Sequence, residues 1–195
     1  MIRLEGRLRD AFQVVHREGF LPVKQRRYAH DDRALPIGHG QTNSQPSTVF
    51  AMLELLDVQP GDRVLDVGCG SGWTTALLGH LVGDEGLVHG VEVVPELVEF
   101  GQANLTGCQL PWTSIAPAEP GVLGLPDAGP FDRILVSAEA GSVPRMLVDQ
   151  LAVGGTMVVP VAGRMALVRR TDPDLSVPPD IRYEGHFMFV PLVEP

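Results

Sequence analysis

The sequence predicts an α/β fold: a doubly wound, mostly parallel sheet of seven strands that ends in an antiparallel strand pair, behind a loop-rich N-terminal cap. Three observations predict it. Short apolar runs alternate with helical patterns between residues 63 and 161. A glycine-rich turn, "GCGSG", follows the first of those runs directly. The last two runs, 165–170 and 181–193, have no helical pattern between them.

Taken in order, Ile2, Leu4, Leu8, Phe12 and Val15 recur at helical intervals, so residues 2–17 are expected to open the chain as an amphipathic helix. Residues 18–46 carry Pro22, Pro36, Gly38, Gly40 and Pro46 and read as loop. A helix follows over Ser47–Leu56, with Ser47 as its expected N-cap. "RVLDV" (63–67) is a strand, 73–82 a helix, "LVHGVEV" (87–93) a strand, and 95–105 a helix with proline at its first position. In the Pro- and Gly-rich stretch 106–130, "WTSI" reads as a short strand. "RILVSA" (133–138) is a strand, "SVPRMLVDQLAVGG" a helix stopped by Gly154-Gly155, and "TMVVPV" a strand. Residues 1–46 are expected to form the cap and 47–195 the core of one compact unit.

Composition narrows the function classes. The 195 residues suit one domain, and a hydrophobic share of 44% is enough for a full core. No apolar run reaches the roughly 18 residues that span a bilayer, and the charged N-terminus lacks a signal-peptide pattern, so a cytoplasmic protein is expected. A net charge of −9 argues against a nucleic-acid partner, which needs a basic face. Cys69 and Cys108 have no CxxC or metal-ligand spacing and read as small buried thiols before a disulfide or a catalytic thiol, and the six histidines form no zinc pattern, so no metal is expected.

The glycine turn carries the chemistry. Gly68-x-Gly70-x-Gly72 is one residue short of the dinucleotide fingerprint, which disfavours a nicotinamide dehydrogenase. Glu92 closes the second strand 20 residues after Gly72, the spacing at which a carboxylate meets ribose hydroxyls. Asp66 ahead of the glycines resembles the first motif of class I S-adenosylmethionine-dependent methyltransferases.

Upstream, "IGHGQTNSQPSTVFAMLELL" resembles the front of the protein-L-isoaspartate O-methyltransferase family, in which Gly-Gln-Thr-x-Ser-x-Pro precedes the nucleotide motif. The likeness resumes at "GPFDRILVSAEAGSVPRMLVDQLAVGGTMVVPV" and at "FMFVPL". The resemblance implies the seven-stranded Rossmann-like methyltransferase sheet, S-adenosyl-L-methionine as cofactor, and a protein or peptide substrate bearing an isoaspartyl or aspartyl residue. It implies Ser44 and Thr42 as catalytic, and Gln41, Gln45, Ser47, Ala138 and Val190 as substrate-binding. Donor contacts fall on Asp66, Gly68, Gly70, Ser71, Gly72, Glu92 and Val93, with Glu119 and Gly121 at the adenine. The sequence departs from the family at Pro120, where an adenine-binding Asp is usual, and at Asn43, Ser47 and Glu139.

A substrate carboxylate, with a pKa near 4, is already a nucleophile at neutral pH, so the lack of an evident general base fits ester formation. The implied outcome is methyl-ester formation followed by succinimide closure and repair. Two other readings stand beside it: a tailoring enzyme for one peptide aspartate, and a binding module that keeps the fold without catalysis.

Overall fold

The computed structural model describes residues 4–193. The opening helix is α1, Leu4–Val14, whose Leu8 and Ala11 are fully buried; the expected start at Ile2 lies outside the described residues. The stretch read as loop is more ordered than its prolines suggest. It contains 3-10 turns at Arg17–Phe20 and Val23–Tyr28, then a hairpin of β1 (Leu35–Gly38) and β2 (Gln41–Asn43).

Helix α2 runs Pro46–Leu56, and Ser47 is not its N-cap. Gln45 holds that position without a side-chain bond, Pro46 takes the first helical place, and the Ser47 N–H donates to Asp32 Oδ1 at 2.9 Å. A carboxylate from the preceding loop therefore does the capping. After it come β3 (Arg63–Val67), α3 (Trp73–Val82), β4 (Leu87–Glu92), α4 (Pro95–Thr106) and β5 (Thr113–Pro117). Then follow β6 (Phe131–Val136), α5 (Arg145–Val148), β7 (Leu151–Val161), β8 (Arg164–Arg169) and β9 (Asp180–Glu184).

The seven-stranded sheet has the order β5-β4-β3-β6-β7-β8-β9. Its first five strands are parallel, and β8 pairs antiparallel with β7 and β9. Side chains alternate between two cores, as strand geometry demands. Val64, Leu135 and Val158 face the helices α1 to α4, while Leu65, Ile134 and Met157 face α5 and the β5–β6 connection. Helix α3 is buried almost all round, between the sheet and α1. Each fully buried leucine or isoleucine contributes roughly 1.5–3 kcal/mol.

Two expectations fail in the C-terminal half. The helix expected over 142–155 is only the four residues of α5, because β7 begins at Leu151 and runs through both glycines. Gly154 takes φ +85°, and the β6–β7 register shifts between Phe131 and Arg133, so the pair makes a bulge rather than a helix stop. The strand expected over 181–193 ends at Glu184. Beyond it the chain is irregular, with an isolated bridge from Glu139 to Pro191, a Phe187 N–H bond to the Gly163 carbonyl, and Phe187, Phe189 and Leu192 packed against the two cores. No helix among the described residues is long and apolar enough to cross a membrane.

Candidate functional site

Strand order reverses between β3 and β6, which leaves a crevice at the carboxyl ends of β3, β4 and β6. The glycine turn crosses it. Gly68 and Gly70 adopt φ +71° and +54°, conformations that side chains rarely take. The turn is tied to the neighbouring strand by Gly68 N–H and Cys69 N–H, both donating to the Val91 carbonyl at 2.9 and 3.2 Å.

Glu92, 5% exposed, is the hub of this turn. Its Oε2 accepts from Gly70 N–H at 2.9 Å, and its Oε1 from Val93 and Val94 N–H at 2.8 and 3.0 Å. Asp66 plays a different part from the one expected of a donor contact. It lies fully buried behind the turn, where its Oδ2 accepts from the Thr74 and Thr75 hydroxyls that open α3. Burial pushes its carboxyl up to about 6, against the two hydroxyl donors, with Glu92 adding to the rise.

A cavity of about 620 Å³, counting the space open to solvent, sits over the turn. Gly68, Gly70, Glu92 and Val93 form its floor, and Gln41, Thr42, Ala138 and Val190 form its sides. At the far end stand Ala118, Leu123 and Gly124. Glu119 and Gly121, the residues expected at the adenine, are exposed on the adjoining turn and fall outside the lining. The loop is set instead by buried Gln150, whose Nε2 donates to the Leu123 carbonyl at 2.7 Å and whose Oε1 accepts from Leu125 N–H at 2.8 Å. Gly72 lies below the cavity, where a Cβ would come 3.3 Å from the Gly101 carbonyl oxygen.

The opposite side is built by the N-terminal cap. Arg17, 5% exposed, donates to Asn43 Oδ1 at 2.7 Å and to the carbonyls of Asn43, Ser44, Arg33 and Asp31 at 2.9–3.0 Å. Its guanidinium lies 5.4 Å from the centre of the Trp73 ring. Desolvation lowers its pKa to about 10, opposed by Asp32 and Asp31, so the charge persists at neutral pH. Asn43 passes the connection on, donating to Ser71 Oγ at 3.2 Å. The cap, the Thr42–Ser44 segment and the glycine turn are thereby one hydrogen-bonded unit.

Ser44 and Thr42 meet in two further cavities. One, about 310 Å³, reaches down to Cys69 and Ser71; the other, about 660 Å³, opens outward past Gln45, Met188 and Phe189. Ser47 lines neither; its hydroxyl accepts from Gln45 Nε2 at 2.9 Å. Glu139 points at no cavity either, because its Oε1 accepts from Gly163 N–H at 3.0 Å. Its backbone exchanges bonds of 2.8 Å with Val190 and Leu192, laying the tail along the cavity wall.

Sequence reasoning missed Arg17, Ser137 and the tail residues Pro191 and Leu192. The signal for Ser137 was present, since it follows a parallel strand, where ligands of such sheets bind. Arg17 carried no signal: it reads as one more charge in a polar helix end.

A family model described as Protein-L-isoaspartate(D-aspartate) O-methyltransferase (PCMT) matches residues 2–195. A protein-L-isoaspartate O-methyltransferase of Aeropyrum pernix is 43% identical over 191 residues, covering 96% of this chain and 72% of that protein. One from Methanothrix thermoacetophila is 42% identical over 96% of this chain and 88% of its own length. Among solved structures, a protein-L-isoaspartate O-methyltransferase superposes with a TM-score of 0.85 at 26% identity, over 97% of this chain and 62% of the other.

Proposed function

The chain belongs to the protein-L-isoaspartate O-methyltransferase family, and from that premise we propose how its crevice methylates the isoaspartyl carboxylate of a damaged protein, with S-adenosylmethionine as donor. The observation that carries the reading is Glu92. It ties the glycine turn through Gly70 N–H and the end of its own strand through Val93 and Val94 N–H, while lining the cavity that Thr42 enters from the other side.

The residues present fit the donor. A carboxylate has about four acceptor positions, and Glu92 uses three on backbone N–H groups, leaving capacity for a ribose hydroxyl. Gly68 and Gly70 present bare backbone to the methionine portion, and a Cβ on Gly70 would come 3.1 Å from Ile37 Cδ1. Val93, Ala118, Leu123 and Gly124 offer an apolar slot for the base. When bound, the donor supplies a methyl group on a cationic sulfur, which departs as a neutral thioether.

The chain's own residues then have two tasks. The Thr42 and Ser44 hydroxyls orient the substrate carboxylate, which needs no proton acceptor because it is already ionised. Closure by the β1–β2 hairpin and the tail removes water from that carboxylate and holds it in line, where alignment supplies most of the acceleration. Residues 1–46 act as the substrate-side cap. The ester's methoxy group leaves far more readily than the oxide of a free carboxylate, so the adjacent backbone nitrogen attacks the ester carbonyl, closes a succinimide and releases methanol with the amide proton. We read the protein as cytoplasmic, acting on protein rather than nucleic acid, which its net charge of −9 supports.

Asn43 and Glu139 depart from the family, but their side chains bond to Arg17, Ser71 and Gly163, which favours repair over a tailored peptide site. The test pairs one aspartyl peptide with its isoaspartyl isomer, each incubated with donor and read by mass spectrometry. Gain of one methyl on the isoaspartyl member alone is expected; gain on the aspartyl member alone, or on neither, rejects the reading.

A further inference from the structure

Two buried side-chain polar atoms have no hydrogen-bond partner among the described residues: Asp66 Oδ1 and Ser137 Oγ. Asp66 lines none of the three cavities described above and is occupied on its other oxygen by two threonines. Ser137 is different. It follows β6, its N–H donates to the Val67 carbonyl at 2.9 Å, and it therefore stands beside the first glycine of the turn. It also lines all three cavities: that over Gly68 and Glu92, the one reaching Cys69, and the outward one past Gln45. A buried hydroxyl without a partner is unfavourable, and native proteins rarely keep one without a use for it.

Resting on the methyltransferase reading above, we propose that the Ser137 hydroxyl is a catalytic substrate contact, donating its hydrogen bond to the isoaspartyl carboxylate at the point where the donor and substrate cavities meet. The chemistry of the walls favours this partner. The outward cavity is lined by Thr42, Ser44, Gln45 and Thr48 with apolar neighbours, and among the described residues no charged side chain lines it. A carboxylate arriving there finds hydroxyl donors and no cation. Hydroxyls orient it without the tight ion pair that would blunt its attack on the methyl group. Ser137 completes a set of four hydroxyls, with Thr42 and Ser44 supplied by the hairpin side, Thr48 by α2 and Ser137 by the end of the sheet.

The test compares the parent enzyme with Ser137→Ala and Ser137→Thr on an isoaspartyl peptide, alongside calorimetry with S-adenosylhomocysteine and a melting curve for each protein. Loss of a hydrogen bond to a charged group predicts a fall in kcat/KM of roughly ten- to a hundredfold for Ser137→Ala. Its S-adenosylhomocysteine affinity and melting temperature stay unchanged, and Ser137→Thr retains most of the parent's kcat/KM. An alanine variant as active as the parent shows that the hydroxyl meets only solvent and overturns the inference. So does a parallel loss of S-adenosylhomocysteine affinity, which assigns the hydroxyl to the donor, or an equal loss in both variants, which assigns the effect to side-chain volume. A parent that methylates no isoaspartyl peptide while binding S-adenosylhomocysteine rejects the proposed function itself, and the inference with it.

Discussion

Replacing Arg17 by methionine keeps much of the side chain's apolar length against Trp73 and removes its donors. Two acceptors on buried Asn43, the side-chain Oδ1 at 2.7 Å and the backbone carbonyl at 3.0 Å, then lose their partner. Each such loss costs roughly 1–3 kcal/mol. The carbonyls of Asp31 and Arg33 belong to exposed residues, so water compensates there. The expected destabilisation is about 4 kcal/mol, and at roughly 2–4 °C per kcal/mol for a chain of this size the melting point falls by about 8–16 °C. Arg17→Lys keeps the charge but has fewer donors and no planar fork, and should lose about half as much. Scanning calorimetry on the three proteins reads both values. Because Arg17 also holds the Ser44 carbonyl at 2.9 Å, kcat/KM falls further than stability alone explains at temperatures where every variant is folded. A methionine variant melting within about 2 °C of the parent would refute the view that this guanidinium organises the cap.

Glu92→Gln places an amide where three N–H donors converge and where the proposed function puts a ribose hydroxyl, so S-adenosylhomocysteine affinity should drop roughly ten- to a hundredfold by calorimetry; a change under about threefold argues against the ribose role. Asp66 makes stability depend on pH: with its folded pKa raised from 3.8 to about 6, its stabilising contribution is complete below 3.8 and lost as pH rises through about 6. That shift amounts to about 3 kcal/mol. Urea melts of the parent and Asp66→Asn across that window should differ in slope, the variant being flatter, and equal slopes contradict the assignment. Gly101→Ala sets a Cβ 2.8 Å from Ile115 Cδ1 and 3.1 Å from the Gly70 carbonyl oxygen, beneath the turn. Despite the helix preference for alanine it should cost about 1–3 kcal/mol and weaken S-adenosylhomocysteine binding; a raised melting point shows that the contact yields.

The half of the site that was legible is the half that is local in sequence. A strand, three glycines and a helix stand within 20 residues, and Glu92 follows at a spacing set by one βαβ crossover, so the sequence pattern and part of the cavity lining coincide. The C-terminal half reads poorly for a physical reason. "MLVDQLAV" has apolar residues at intervals that suit a helix as well as a strand, and only the β6 edge decides that Leu151 onward extends the sheet. Glu119 and Gly121 fall on an exposed turn outside the cavity lining, and Gln150, which sets the Leu123–Leu125 loop, lies 27 positions from the Leu123 carbonyl it holds. Arg17 was illegible altogether, since its partners are backbone carbonyls that any sequence could present.

The donor cavity draws its walls from Ile37 through Val193. Its far side is a tail fastened by backbone bonds at Glu139, after every strand of the sheet has been laid down. A growing polypeptide, emerging N-terminus first, therefore has the glycine turn and Glu92 long before it has anywhere to enclose a nucleoside. On the proposed reading, affinity for the methyl donor waits for the tail, so a labelled donor analogue captured during synthesis passes over chains that stop short of Pro191.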